Sequence, residues 1–233
     1  MTVALIVLAK APVPGLVKTR LCPPCTVTQA AAIAEASLAD TLTTVAAVRA
    51  PRRLLALDGE PGRWVPDAFE VVPQLGGGLG DRLADAFERA GGPAFLVGMD
   101  TPQLTPALLT HAARELRSAD AALGLAVDGG YWGIGLRNPV PEAFADVPMS
   151  TPHTGAAQRD RLRGLGLRVR DLPILRDVDT YQDALAVARL VPPESAFAST
   201  VRASAGQLDV GEQISSGADG RHAGSPDWRH RRS

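Results

Sequence analysis

The stretch VALIVLAKAPVPGLVKTRL, residues 3–21, joins a short apolar run to a basic loop. The run is rich in β-branched side chains and predicts a buried strand over residues 2–8. It is too short to cross a bilayer and lacks the flanks of a signal peptide, so we predict a cytoplasmic protein. In the loop, residues 9–21, prolines stiffen the backbone and Gly15 permits angles that are closed to other residues.

This loop contains every lysine of the chain. Lysine and arginine total 24, yet only Lys10 and Lys18 are lysines. A lysine is a compact charge on a flexible stem, whereas an arginine is a planar fork, so the loop is predicted to need ammonium groups. With Arg20 these side chains bring about three positive charges to a strand end, which suits a diphosphate or triphosphate. The spacing is not that of a P-loop, and a solvated basic loop is the alternative.

Beyond the loop, apolar runs alternate with amphipathic helical segments. This pattern predicts an α/β fold with a mostly parallel central sheet flanked by helices on both faces. The predicted strands are residues 2–8, 53–57, 69–72, 93–98, 121–127, 131–136 and 168–172. The predicted helices are residues 28–48, 81–90, 105–117, 150–164 and 180–190. We predict one domain, residues 1–197, and a disordered tail, residues 198–233, which is rich in glycine, serine, alanine and charge.

Two acidic motifs follow predicted strands. GMDTP, residues 98–102, places Asp100 directly after a buried strand, and its carboxylate is a hard oxygen ligand suited to Mg²⁺ or Mn²⁺. LRDVDT contains Asp177 and Asp179, which we predict to point to opposite sides of an extended segment. Only one of them, Asp179, is then expected to face the metal, with a helix N-cap as its alternative role.

Three further motifs supply candidate contacts to the substrates. QLGGGLGDR, residues 74–82, is a glycine-rich loop without the spacing of a dinucleotide-binding fingerprint. DGGYW, residues 128–132, is a tight turn before an aromatic pair that fits an acceptor pocket or the sheet core equally well. STPHT, residues 150–154, is predicted to open a helix. Its histidine can contact the acceptor or lie on the surface of that helix. The candidate acceptor contacts are Asp128, Gly129, Gly130, Tyr131 and His153.

Composition and the cysteines limit the partners and the chemistry. The net charge is −1, with neither a basic field nor an acidic tract, so no nucleic-acid or membrane partner is predicted. Cys22 and Cys25 form a C-x-x-C motif, but they lie too far from the first strand for a thioredoxin-like site. Two thiols alone also leave a zinc site incomplete.

Taken in order, AKAPVPGLVKTRL, QLGGGLGDRL, GMDTP, VDGGYW, MSTP and LRDVDT resemble the radical-SAM/selenodomain-associated transferases. That family belongs to the glycosyltransferase-A, or nucleotide-diphospho-sugar transferase, superfamily. The resemblance covers residues 3–190 and implies a seven-strand-like sheet with a nucleotide over the loop after the first strand. It also implies Asp100 and Asp179 as metal ligands and Lys18 and Arg20 as phosphate-binding residues.

We therefore predict a metal-dependent transferase with a nucleotide donor and a small-molecule acceptor, in which Lys18, Asp100 and Asp179 are catalytic. Nucleotidyl transfer from a nucleoside triphosphate to a phosphorylated acceptor is narrowly favoured. The reason is that the loop resembles that of the molybdenum-cofactor and phospholactate guanylyltransferases. The alternatives are glycosyl transfer from a nucleotide sugar with a base such as Asp128, a non-catalytic nucleotide-binding module, and a redox protein. The candidate nucleotide contacts are Ala9, Lys10, Gly15, Lys18, Arg20, Gln74 and Gly78.

Overall fold

The computed structural model describes the backbone of residues 2–218 and the side chains of residues 2–208. Its strands are β1 (Ala4–Lys10), β2 (Arg53–Asp58), β3 (Glu70–Pro73), β4 (Ala94–Gly98), β5 (Ala121–Ala126), β6 (Tyr131–Leu136) and β7 (Val169–Leu175). They form one sheet in the order β3-β2-β1-β4-β6-β5-β7. Every pair is parallel except the two that involve β6, which runs antiparallel to β4 and β5. The predicted mostly parallel sheet is confirmed.

Helices cover both faces of this sheet, as predicted. They are α1 (Val27–Ala46), α2 (Leu79–Ala90), α3 (Pro106–Glu115), α4 (Thr154–Gly164), α5 (Tyr181–Ala188) and α6 (Ala196–Ala218). Successive β1 side chains point to opposite faces. Leu5 and Val7 pack in the core with α1 and α3, while Ile6 packs in a second core with α2 and α4. The apolar run that opens the sequence is therefore buried from both sides.

Side-chain caps place the start of three helices. Thr26 forms a capping box at α1, and Thr105 caps α3 with Pro106 in its first turn. Thr180 and Asp183 form the capping box that the sequence suggests at α5. Each cap satisfies backbone N–H groups that have no partner within the helix.

Helix α6 corrects the prediction of a disordered tail from residue 198. The segment is helical to Ala218, and Phe197, Ala198 and Val201 are buried in a cluster with side chains of α1 and α5. The Asp40 carboxylate on α1 accepts hydrogen bonds from the N–H groups of Ala196 and Phe197 and so fixes the start of α6. The low average hydrophobicity of residues 198–233 concealed these few well-spaced apolar positions. Residues 219–233 lie outside the described residues, and no helix within the described chain is long and apolar enough to cross a membrane.

Replacing Phe197 with alanine is expected to lower the free energy of unfolding by about 3–5 kcal/mol, because the ring is fully buried and its loss leaves a cavity. Urea unfolding followed by circular dichroism measures the change. Glu194→Gln, at an exposed position just before α6, is the control and should stay within about 0.5 kcal/mol of the wild type. Equal stability of Phe197→Ala and the wild type would mean that α6 does not contribute to the folded core.

Candidate active site

A cavity of about 750 Å³ lies where β1, β4 and β5 end and β6 begins. The carboxyl ends of parallel strands meet at one edge of a sheet, and ligands of such folds bind beyond that edge. The predicted site residues that line the cavity are Ala9, Lys10, Lys18, Arg20, Gln74, Asp100, Asp128, Gly130, Tyr131 and Asp179. Gly15, Gly78, Gly129 and His153 are not among the lining residues.

Lys18 and Asp100 form an ion pair at the base of the cavity. The Lys18 Nζ atom lies 2.8 Å from Asp100 Oδ2, and the lysine side chain is only 9% exposed. Lys18 has a left-handed backbone (φ 49°) and immediately precedes a 3₁₀ turn, Thr19–Leu21. This conformation is unusual for a residue with a side chain. It gives the ammonium group a defined place opposite the end of β4.

A second pair lies beside the first. The Arg20 guanidinium donates a hydrogen bond of 2.6 Å to Asp179 Oδ2, and this bond raises the pKa of Arg20. The backbone N–H of Val178 donates to the carbonyl oxygen of Asp100 at 2.8 Å, which ties the two acidic motifs together. Asp179 is not the N-cap of α5, since that position belongs to Thr180. Two cations of the basic loop thus meet two carboxylates from distant parts of the chain.

Asp177 lines the cavity together with Asp179, so the prediction that these two side chains point to opposite sides is wrong. Side chains two residues apart in an extended segment point to the same side. Asp177 and Asp179 therefore share a side, and Val178 between them is buried. Burial, helped by the negative charge of Asp128, raises the pKa of Asp177 to about 6.

The DGGYW motif forms a tight turn that packs against the start of α4 and the residues just before it. Gly129 has φ +91°, and a Cβ atom there would lie only 1.9 Å from the carbonyl oxygen of Pro152. The carbonyl oxygen of Gly129 accepts a hydrogen bond from the N–H of Gly155 at 2.8 Å. Both residues of the aromatic pair line the cavity, and Trp132 is also buried in the core, where its indole N–H donates to the carbonyl oxygen of Pro173. Gly129 therefore shapes the site without lining it.

Gly129→Ala is expected to destabilise the protein by at least about 2 kcal/mol and to lower any activity, since the methyl group meets backbone in a left-handed region. Gly164→Ala at the end of α4 is the matched control, because no atom lies within 4 Å of its Cβ position and alanine favours a helix. Thermal unfolding of both variants gives the comparison. A Gly129→Ala variant as stable as Gly164→Ala would contradict the close packing of this turn.

The remaining side chains on the α2 side of the cavity are held by neighbours. The Gln74 amide donates hydrogen bonds to the carbonyl oxygens of Ala9 (2.7 Å) and Ala56 (3.0 Å), so it ties β1 to β2. Arg82 also lines the cavity and pairs with Asp58 at 3.1 Å, whereas Lys10 lies 3.8 Å from the same carboxylate. Arg82 is not among the site residues predicted from the sequence.

The Asp81 carboxylate holds the end of the glycine-rich loop, because it accepts a hydrogen bond from the N–H of Gly78 at 3.0 Å. Gly78 is the N-cap of α2 and does not line the cavity. His153 is exposed at the N-cap of α4, so the structure does not bring it to the other candidate acceptor contacts.

The cysteines lie in the core rather than at a reactive surface. Cys25 is buried in the cluster beneath α1, and burial raises the pKa of its thiol. A raised pKa disfavours the thiolate that redox chemistry needs. Both cysteines are free thiols.

The donor set fits a hard divalent cation with few protein ligands. Asp100 Oδ1 is buried and has no hydrogen-bond partner, which leaves one carboxylate oxygen available. Among the described side chains, residues 2–208, no group of three or more His, Cys, Asp or Glu is placed to hold a metal ion. Mg²⁺ is commonly bound by one or two carboxylates together with substrate phosphates, so a phosphate ligand would complete such a site.

Comparison with solved structures agrees with this architecture. A protein from Desulfovibrio desulfuricans G20, provisionally named a nucleotide-diphospho-sugar transferase, is 26% identical with a TM-score of 0.81, over 90% of this chain and 98% of its own. A cytidylyltransferase from Leptospira borgpetersenii serovar Hardjo-bovis is 10% identical with a TM-score of 0.51, over 92% and 96% of the two chains. Rv0371c from Mycobacterium tuberculosis H37Rv, solved with manganese, is 19% identical with a TM-score of 0.48, over 82% and 100%. The first two comparisons show that this chain shares its fold with the Desulfovibrio protein and with the cytidylyltransferase.

Sequence comparison gives the family. None of the curated proteins matches the chain. The model of the family DUF2064, described as an uncharacterized protein conserved in bacteria, matches residues 32–151. This match spans more than half of the sequence and includes the glycine-rich loop, Asp100 and the DGGYW turn. The chain therefore belongs to the DUF2064 family.

Proposed function

We propose that this protein is a metal-dependent transferase that binds the phosphates of a nucleotide donor with Lys18 and Arg20. The observation that carries the proposal is the paired arrangement of these cations with Asp100 and Asp179, at 2.8 Å and 2.6 Å, in one cavity. Candidate phosphate-binding groups and candidate metal ligands thus lie within direct contact of each other. A solvated basic loop would not place a nearly buried lysine against a carboxylate at a strand end.

The pairs suggest how the ligands enter. Without ligands, each carboxylate is neutralised by a cation of the loop. When donor phosphates bind, Lys18 and Arg20 exchange carboxylate oxygens for phosphate oxygens, and the flexible lysine stem allows this without a change of backbone. Asp100 and Asp179 are then free to act as oxygen ligands. Mg²⁺ or Mn²⁺ held there would supply positive charge that stabilises the leaving phosphates.

Nucleotidyl transfer is the first candidate reaction. An oxygen of the acceptor forms a bond to the α-phosphorus of a nucleoside triphosphate, the bond from that phosphorus to the bridging oxygen breaks, and pyrophosphate leaves. The three cations of the basic loop line the cavity and support this reaction, because negative charge develops on the pyrophosphate as it leaves. Lys18 and Arg20 would stabilise that charge.

Glycosyl transfer is the second candidate, and Asp128 favours it. This exposed carboxylate lines the cavity, and its Oδ1 atom accepts from the N–H of Gly130 at 2.8 Å, so its position is fixed. An acceptor hydroxyl oxygen would bond to the sugar's anomeric carbon, the carbon's bond to the donor phosphate would break, and a nucleoside diphosphate would leave. Asp128 would take the hydroxyl proton. The name given to the Desulfovibrio protein also supports a nucleotide sugar.

The test incubates the protein with Mg²⁺, a panel of nucleoside triphosphates and nucleotide sugars, and a small-molecule filtrate of a bacterial extract. Pyrophosphate release supports nucleotidyl transfer, and nucleoside diphosphate release supports glycosyl transfer. Nucleotide affinity is measured separately by calorimetry. Binding without either product would favour a non-catalytic module, whereas no nucleotide binding with metal present would refute the donor site.

A further inference from the structure

The carboxylates that line the cavity fall into two groups, those with a cation partner among the described residues and those without one. Of the described residues, the cations that line it come from the first part of the chain: Lys10, Lys18, Arg20 and Arg82. The carboxylates that line it all come from the end of β4 onward: Asp100, Asp128, Asp177 and Asp179. Asp100 and Asp179 pair with Lys18 and Arg20, whereas Asp128 and Asp177 form no ion pair within the described residues.

We call the lining residues within 126–133 and 149–154, together with Asp177, the far wall. Its charged members, within the part of the chain that the structure describes, are Asp128 and Asp177. Its other polar side chains are the hydroxyls of Tyr131, Ser150, Thr151 and Thr154. His153, which could have added a positive charge, is exposed and outside the lining.

A phosphate group does not suit this wall. A phosphate monoester carries about −1.5 to −2 charges at neutral pH and is bound in proteins by Arg, Lys or clustered N–H groups. On the far wall it would face two carboxylates instead, and like charges in contact are strongly unfavourable. A metal ion at Asp100 and Asp179 would not make the far wall favourable for a phosphate group, because the phosphates of the donor would already balance the charge of the metal. Hydroxyl groups and ammonium groups, by contrast, donate hydrogen bonds to carboxylates.

We infer that the acceptor is a hydroxyl-bearing molecule without a phosphate group, neutral or cationic, and that it lies on the far wall with a hydroxyl donating to Asp128. The inference rests on the proposed function, since it assumes that the donor phosphates bind to Lys18 and Arg20. It replaces the phosphorylated acceptor that the sequence narrowly favours. Both reactions remain compatible with it, since a hydroxyl oxygen can attack phosphorus or an anomeric carbon.

Phosphatase treatment tests the inference without knowledge of the acceptor. The small-molecule filtrate is divided, and one half is treated with alkaline phosphatase, which is removed by filtration before protein, Mg²⁺ and donor are added. Leaving-group release should be undiminished with the treated filtrate, and the active fraction should not be retained on an anion-exchange resin. Release that disappears after treatment, or that is absent with both filtrates while nucleotide binds normally, would overturn the inference.

Variants of Asp128 provide the second readout. Asp128→Asn is expected to raise KM for the treated filtrate by about 100-fold with no change in nucleotide affinity, because one charged hydrogen-bond acceptor is lost. Asp67→Asn, an exposed acid outside the cavity, is the control. An unchanged KM in Asp128→Asn would overturn the contact. Loss of nucleotide binding in the wild type would instead refute the proposed donor site, so the two failures are distinguishable.

Discussion

Asp100→Asn is expected to lower kcat/KM by about 100- to 1,000-fold while the protein stays folded. Asparagine keeps the shape of the side chain and an oxygen that can accept from Lys18, but it removes the charge that a divalent cation requires. The buried Oδ1 atom, which has no partner in the fold, is the oxygen that the substitution affects most directly. Steady-state kinetics with the donor that the nucleotide panel identifies measures the loss.

Metal dependence separates this role from a merely structural one. In the wild type, Mn²⁺ should strengthen nucleotide binding, because the proposed site would hold the metal between the carboxylates and the phosphates. In Asp100→Asn that strengthening should be largely lost, whereas thermal stability should stay close to that of the wild type. Asp67→Asn is the matched control, as it also removes one acidic charge but lies outside the cavity. If Asp100→Asn binds nucleotide as well as the wild type with metal present, Asp100 is not a metal ligand.

Sequence periodicity was sufficient to predict most of the fold. The alternation of short apolar runs with amphipathic segments predicts an α/β sheet, and a period of two along β1 explains how both faces are buried. The insertion of β6 between β4 and β5 is not visible in local patterns, since it depends on which strands pair across the sheet. Helix α6 was missed for a similar reason. Its start is fixed by Asp40, far away in the chain, and its few apolar residues are diluted in the composition of the segment.

The sequence was sufficient to predict which residue types the candidate site contains, but not which of them contact each other. Motifs at strand ends identify cations and carboxylates, because the fold class brings strand ends together. They do not say that Lys18 meets Asp100 and Arg20 meets Asp179, since these pairings depend on a left-handed residue and on loop packing. The orientation expected for Asp177 was wrong because the period of two in an extended segment places residues 177 and 179 on the same side, not on opposite sides. Only the tertiary structure shows that Asp128 and Asp177 line the cavity without an ion-pair partner among the described residues.

The two lysines of the basic loop differ in their surroundings, and this difference makes a test. Lys18 is 9% exposed and lies 2.8 Å from Asp100, whereas the Lys10 side chain is 57% exposed and lies 3.8 Å from Asp58. A guanidinium is longer and planar, and it delivers its hydrogen bonds from a rigid fork. It does not fit the confined place of the Lys18 ammonium, but it has room at Lys10.

Lys18→Arg is therefore expected to lower kcat/KM by about 100-fold although the charge is kept, and Lys10→Arg is expected to change it by less than about threefold. Lys18→Gln adds a readout other than activity. It frees the Asp100 carboxylate, so Mn²⁺ should bind the protein without nucleotide more tightly than it binds the wild type, as measured by calorimetry. If Lys18→Arg and Lys10→Arg have the same kinetics, the restriction of lysine to this loop has no functional cause. If Lys18→Gln binds Mn²⁺ no better than the wild type, the proposal that Asp100 changes its partner from Lys18 to the metal is wrong.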